Sequence, residues 1–288
     1  MRIGKHLPVV LLLSVSDPSG TMGIQAGISV LSSMEQKTFV SAIVTAHIVR
    51  RDGSIFFKSV PPEVLRSQLR EALANLRPDV VKIGFLPDPA SVCEVVAALR
   101  SARVRKIIYN PRFKDENGHR LLSTDTVKAI CCHLLPIVRL LIVERVDSEI
   151  LLQEKRGNSL PVKQMTDVQI SRCLISTFHC FCYLSVPEKY DILSVEKEVF
   201  YYRSIGELMT AVSVAGKCKN LSKVEAKHAV MEEYSTAVAG YWSTSESVKI
   251  PLYNAKKYIK ETIQRHSYLN ENHTDAPYYP LTEGGNYE

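Results

Sequence analysis

The sequence predicts an α/β protein built on a doubly wound, mainly parallel sheet with helices on both faces. Two observations carry that prediction. Short β-branched and apolar runs alternate with segments whose apolar residues recur at helical spacing. The first run, Pro8–Val15, leads straight into a glycine-bearing loop and then a helical pattern, the order of a β-α-β unit.

Each element follows from its own pattern. Ile24, Ile28 and Leu31 recur at helical spacing after the first loop, and Phe39–Val49 is a β-branched strand run. Pro61-Pro62 opens a helix whose apolar positions are Leu65, Leu69, Leu73 and Leu76. Proline suits a first helical turn because the N–H it lacks has no partner there. A strand follows at Val80–Ile83, then a helix through Val92, Val95, Val96 and Leu99, and a strand at Ile107–Tyr109. A helix at Thr124–Leu135 and a strand at Leu140–Val143 complete the regular alternation. The second half reads as a helix at Val168–Thr177, short strands near Cys180–Val186, Ile192–Val195 and Val199–Tyr202, and helices at Ile205–Lys217 and Ser222–Gly240. Residues 1–250 are therefore expected to form one domain, and 251–288 a helical extension fading into a flexible tail.

Composition narrows the function classes. The chain has 288 residues, 45% of them hydrophobic, enough for one large core. Its net charge of +6 is carried by cations spread along the chain, such as Arg50, Arg51, Arg103, Arg105 and Lys106, so nucleic acid is not an expected partner. The seven cysteines are odd in number and irregular in spacing, which argues for a reducing compartment rather than a disulfide framework. Cys173, His179, Cys180 and Cys182 raise the thought of a metal. Cys180 and Cys182 share one face of a strand and no second ligand pair follows, so buried cysteines are expected. Arg2, Lys5 and His6 before Leu7–Val15 mimic a secretory leader, but cleavage would remove the first strand, and a cytoplasmic protein is expected. No apolar run approaches the ~18 residues that a membrane helix needs.

The most specific signal is Ser16-Asp17-Pro18-Ser19-Gly20-Thr21-Met22-Gly23-Ile24-Gln25-Ala26-Gly27. Glycine at 20 and 23 lets the backbone approach a ligand, and the N–H groups of the following helix face it. The string resembles the G-S-D-P-S-G-G-A-G-I-Q-A-D motif of the hydroxymethylpyrimidine/phosphomethylpyrimidine kinases of thiamine biosynthesis, in the ribokinase superfamily. The resemblance runs over about residues 8–240. It includes Pro61-Pro62-Glu63 with Gln68-Leu69, Val81-Lys82-Ile83-Gly84, Leu134-Leu135-Pro136, and Asn220-Leu221-Ser222. It implies a ribokinase-like fold, ATP with Mg²⁺, a small hydroxymethyl-bearing substrate and a homodimer.

The resemblance also implies site residues. Asp17, Gly20 and Gly23 fall in the substrate loop, and Val49 and Phe85 stand where the family has a glutamine and a methionine that read the pyrimidine. Gly27 replaces the aspartate that closes the first motif. Asn110 opens the counterpart of D-P-V-M-x-x-K-S-G, on the phosphate side. Glu144 and Asp147 occupy the counterpart of T-P-N-x-x-E, beside the metal. Leu184–Glu188 replace the glycine pair and lysine of the nucleotide turn V-K-G-G-H. Ser204-Ile205-Gly206-Glu207 align with the anion-hole turn G-T-G-C, placing Ser204 at the phosphate, Gly206 in the hole and Glu207 as general base. Ser204 with Glu207 also fits a helix capping box, which is the preferred reading of the residues themselves. The scaffold motifs are kept while base, nucleotide turn, metal loop and pyrimidine reader all depart. The expected protein is thus a divergent relative with weak or no kinase activity and a binding role. The competing reading is an active ATP-dependent kinase using Glu207.

Overall fold

The computed structural model describes residues 7–51, 54–115, 117–157, 161–186, 190–195, 198–203 and 223–272. These form a nine-stranded sheet in the order β3-β2-β1-β4-β5-β6-β7-β8-β9. The strands are β1 Val9–Ser16, β2 Phe39–Arg51, β3 Ser54–Ser59, β4 Val80–Ile83, β5 Ile107–Tyr109, β6 Leu140–Glu144, β7 Phe181–Val186, β8 Tyr190–Val195 and β9 Glu198–Arg203. From β2 across to β7 all neighbours are parallel. Antiparallel strands finish both edges.

Alternation along the strands feeds two layers of core. Leu11, Leu13 and Val15 of β1 join one cluster, and Val10 and Leu12 join the other. The first face is covered by α2 (Pro62–Leu76), α3 (Pro89–Ser101), α4 (Thr124–Ala129), α5 (Arg145–Arg156) and α6 (Asp167–Phe178). The second is covered by α1 (Gly23–Ser33), α7 (Lys223–Trp242) and α8 (Lys249–Asn272). Strands buried on both sides need largely apolar runs, which is why β4 and β6 read so plainly in the sequence.

The doubly wound, mainly parallel sheet is as the sequence predicts. Four details differ. A third strand, β3, folds back on β2 as an antiparallel hairpin arm. The helix expected over Thr124–Leu135 is regular only to Ala129, passes through a π turn at Ile130–Leu134 and ends as a 3₁₀ turn at Leu135–Ile137. Pro136 has no N–H to continue the regular ladder. The stretch after β6, to which the sequence pattern assigns no element, is helix α5 from Arg145 onward. Finally, α8 is docked along the sheet, with Leu252, Ala255 and Ile259 buried and Tyr258 Oη 2.5 Å from Ser33 Oγ. The helix expected at Ile205–Lys217 and the tail 273–288 lie outside the described residues. Cys180 and Cys182 are buried in the first core, and desolvation raises both thiols, Cys180 to about 12.

Candidate functional site at the switch point

In a doubly wound sheet, ligands bind beyond the carboxyl ends of strands where the chain order reverses. Here that place is between β1 and β4, since β1 pairs with β2 on one side and β4 on the other. A cleft opens there, lined by the ends of β1, β4, β5 and β6, by Ile55 and Phe57 of β3, and by α7.

The loop after β1 is organised by Asp17, which is fully buried. Its carboxylate accepts from Ser19 N at 3.1 Å, Ser19 Oγ at 2.6 Å, Thr21 Oγ1 at 3.3 Å and Arg50 Nη1 at 2.7 Å. Burial pushes its pKa up, but the Arg50 and Ser19 donors outweigh burial and hold it below 3.8. A carboxyl lowered by folding stabilises fully above its free value, and the contribution is lost as pH falls through the lowered value. Urea midpoints of the wild type are therefore expected to fall below about pH 4, and those of Asp17→Asn to fall less steeply. Parallel acid limbs would show that Arg50 does not hold this charge.

Gly20 and Gly23 both have positive φ, +72° and +69°. At Gly23 a Cβ would sit 2.1 Å from the Val15 carbonyl oxygen, so only glycine permits the turn from β1 into α1. Gly84 plays a similar part at the end of β4, where a Cβ would lie 2.3 Å from Ser14 Oγ. The main chain at Phe85 is pinned on both sides: its N–H donates to Ser14 Oγ at 3.4 Å and its carbonyl accepts from Thr45 Oγ1 at 2.7 Å.

Apolar side chains then fill most of the space. Phe85 stacks on Phe57, with centroids 4.2 Å apart and planes at 22°. Arg112 reaches across from the loop after β5, its Nη1 2.7 Å from Met22 Sδ. The remaining cavity is about 50 Å³. Two side-chain contacts close its floor and wall: the Lys82–Glu232 ion pair, and His228 Nδ1 lying 3.2 Å from a Glu144 carboxylate oxygen. Asn110 is held by its neighbours, donating to Ile142 O at 2.9 Å and accepting from Ser235 Oγ at 3.0 Å.

Of the residues singled out in the sequence, Gly23, Phe85, Asn110 and Glu144 meet at this cleft. Asp17 and Gly20 shape the loop beside it, and Val49 is half exposed on β2, opposite Phe56. Ser204, Gly206 and Glu207 lie outside the described residues, as do 187 and 188 of the nucleotide turn. Asp147 sits in the first turn of α5, where it accepts from Phe113 N at 3.1 Å. Glu144 and Asp147 are oxygen donors of the kind magnesium takes. Glu144 is paired with His228, however, and among the described residues no three His, Cys, Asp or Glu side chains gather as a metal group. With Glu144 against His228 and Asp147 accepting from the Phe113 N–H, this part of the site does not fit a bound magnesium. Phe57, His228 and Glu232 come from β3 and α7, far along the chain from the glycine loop, and no local pattern marks them.

Residues 17–203 match the phosphomethylpyrimidine kinase family. The chain belongs to this family. Its similarity to individual relatives is modest. A Schizosaccharomyces pombe chain whose name carries hydroxymethylpyrimidine/phosphomethylpyrimidine kinase is 27% identical over 165 residues, 56% of this chain and 50% of that one. The Escherichia coli hydroxymethylpyrimidine/phosphomethylpyrimidine kinase is 26% identical over 132 residues, 46% of this chain and 49% of that one. The chain thus spans about half the length of these curated relatives. In fold it is similar to the phosphomethylpyrimidine kinase of Clostridium difficile 630, with a TM-score of 0.70 at 18% identity, covering 89% of this chain and 99% of that one. A Staphylococcus aureus pyridoxal kinase solved with ADP has a TM-score of 0.71 at 16% identity, covering 90% of this chain and 89% of that one. The ribokinase-like fold implied by the motifs is therefore the observed one. Among the described residues no helix is long and apolar enough to cross a membrane.

Proposed function

We propose that this member of the phosphomethylpyrimidine kinase family has lost efficient phosphoryl transfer and acts by binding a small molecule or a partner. The observation that supports it is the switch-point cleft, about 50 Å³ where small-molecule sites usually span roughly 300–1,000 Å³. The Phe57–Phe85 stack and the Arg112–Met22 contact occupy the space a substituted pyrimidine ring would need. The glutamine and the aspartate that read such a ring in the family are replaced by Val49 and Gly27, which offer no side-chain hydrogen bond, and a pocket without those groups loses most of its discrimination. Glu144 and Asp147 being engaged by His228 and Phe113 supports the same reading.

Catalysis of phosphoryl transfer is almost entirely positioning and electrostatics, so displaced parts remove rate rather than change mechanism. ATP with Mg²⁺, hydroxymethylpyrimidine and pyridoxal are the probes to use, because relatives carry those names or ligands. Purified protein assayed beside the Escherichia coli relative is expected to turn over ATP roughly 10³-fold more slowly or not at all. A ligand of the native state raises the unfolding midpoint whether or not chemistry follows, so a thermal-shift screen separates binding from turnover. Turnover within about tenfold of the relative, abolished by Glu207→Gln, would establish the active kinase instead. The homodimer that the resemblance implies and the cytoplasmic location expected from the cysteines and the first strand belong to the same proposal, the homodimer being read from mass in solution.

A further inference from the structure

We propose that a second site, at the opposite end of the sheet from the switch point, binds a small molecule bearing two or more phosphate groups. A groove of about 1060 Å³ lies between α2 and α3, where β4, β5 and β6 begin. Leu73, Ala98 and Val104 give it an apolar lining, suited to the organic part of a ligand.

Its charge is lopsided. Seven cationic side chains line it against three carboxylates. Glu94 is taken by Arg66 in a two-pronged pair, Glu246 faces Lys106 at 3.6 Å, and Asp79 accepts from Val9 N at 2.7 Å. Arg139 lies over the Phe181 ring, 4.2 Å from its centroid. That leaves Arg70, Arg77, Arg103 and Arg105, all exposed, with no hydrogen-bond or ion-pair partner among the described residues. Four free guanidinium groups around one concavity match a polyvalent oxyanion, whose oxygens accept the forked donors of arginine.

Two further observations point the same way. Arg77 and Arg103 have φ of +45° and +53°, two of the three non-glycine residues with positive φ among the described residues. Glycine takes that conformation at helix ends freely and arginine does not, so the guanidinium groups are kept against local backbone preference. Independently, Trp242 lines the groove, is 2% exposed, and its indole N–H is buried with no hydrogen-bond partner among the described residues. A buried donor without an acceptor calls for one from outside. The sequence spreads these cations along the chain. The topology collects them, because the starts of neighbouring parallel strands lie side by side.

Trp242 is the one tryptophan of the chain, so its emission reports on this groove. Inorganic tripolyphosphate, titrated at constant ionic strength, is expected to change that emission saturably, and sodium chloride at matched strength to leave it unchanged. Arg77→Gly with Arg103→Gly is expected to raise the half-saturating concentration at least tenfold. Because glycine suits both backbone positions, the unfolding midpoint of that variant is expected to stay level or rise, which separates loss of the site from loss of the fold. Arg105→Gln, on the open rim, is expected to weaken binding severalfold as a second check. An emission unchanged by tripolyphosphate, or saturation at the same concentration in all variants, overturns the proposal. So does self-association that covers the groove in place of saturable binding.

Discussion

Glu232→Ala is expected to lower the unfolding midpoint by about 10 °C. Lys82 lies mid-strand in β4, between Leu12 of β1 and Ile108 of β5, and only 1% of its side chain is exposed. The residues beside it belong to the apolar layer under α7, so its ammonium group depends on the Glu232 carboxylate reaching down from that helix. Removing one partner of such a pair strands a charge, at about 3–5 kcal/mol, whereas replacing both by apolar groups is often neutral. At about 2–4 °C per kcal/mol for a chain of this size, the single variant loses on the order of 10 °C. Lys82→Met combined with Glu232→Leu is expected to recover most of it. The glutamate is 13% exposed at the cleft edge, which places the cost at the lower end of that range. A single variant within about 1 kcal/mol of wild type, by urea denaturation, would mean that water solvates the ammonium group.

That ion pair shows how far the sequence can be read. Val81-Lys82-Ile83-Gly84 is visible as a strand end and as a family motif, yet nothing local says which helix supplies the counter-charge. Strands β1, β4, β5 and β6 were legible because burial on both faces demands largely apolar runs, interrupted in β4 by Lys82. Strand β3 was not, since Ser54–Ser59 places Ile55 and Phe57 inward and Phe56 outward, a short pattern hidden behind a long β2. Helix α5 was hidden by its charge: Asp147, Glu149, Glu154, Lys155 and Arg156 mask the helical pattern, and of its buried residues only Ile150, Leu151 and Leu152 are apolar. The glycine loop announced the position of the site. Its contents came from elements that only the completed sheet brings together, including Phe57 over Phe85 and His228 beside Glu144.

Gly27→Asp tests whether the family's lost aspartate can simply be put back. It is expected to destabilise the protein by about 4 kcal/mol and to gain no affinity for hydroxymethylpyrimidine. Gly27 is buried on α1, one turn beyond Gly23, and does not line the cleft. A Cβ there would lie 2.7 Å from Leu12 Cδ1 and 3.6 Å from Thr236 Oγ1. The leucine tip can yield, at about 1–3 kcal/mol for the overfilled contact. The carboxylate that follows the Cβ enters the layer between α1, β1 and α7, where the Thr236 hydroxyl already donates to Glu232 O at 2.8 Å. A charge buried with so little compensation adds several kcal/mol or is forced into its neutral form. Glycine at 27 therefore lets α1 and α7 settle closely on β1, so the departure from the family's aspartate tightens the helix layer. Calorimetric titration with hydroxymethylpyrimidine and urea unfolding of the variant measure both halves. A variant of wild-type stability that binds the pyrimidine would place residue 27 on the cleft wall and reopen the family's substrate for this chain.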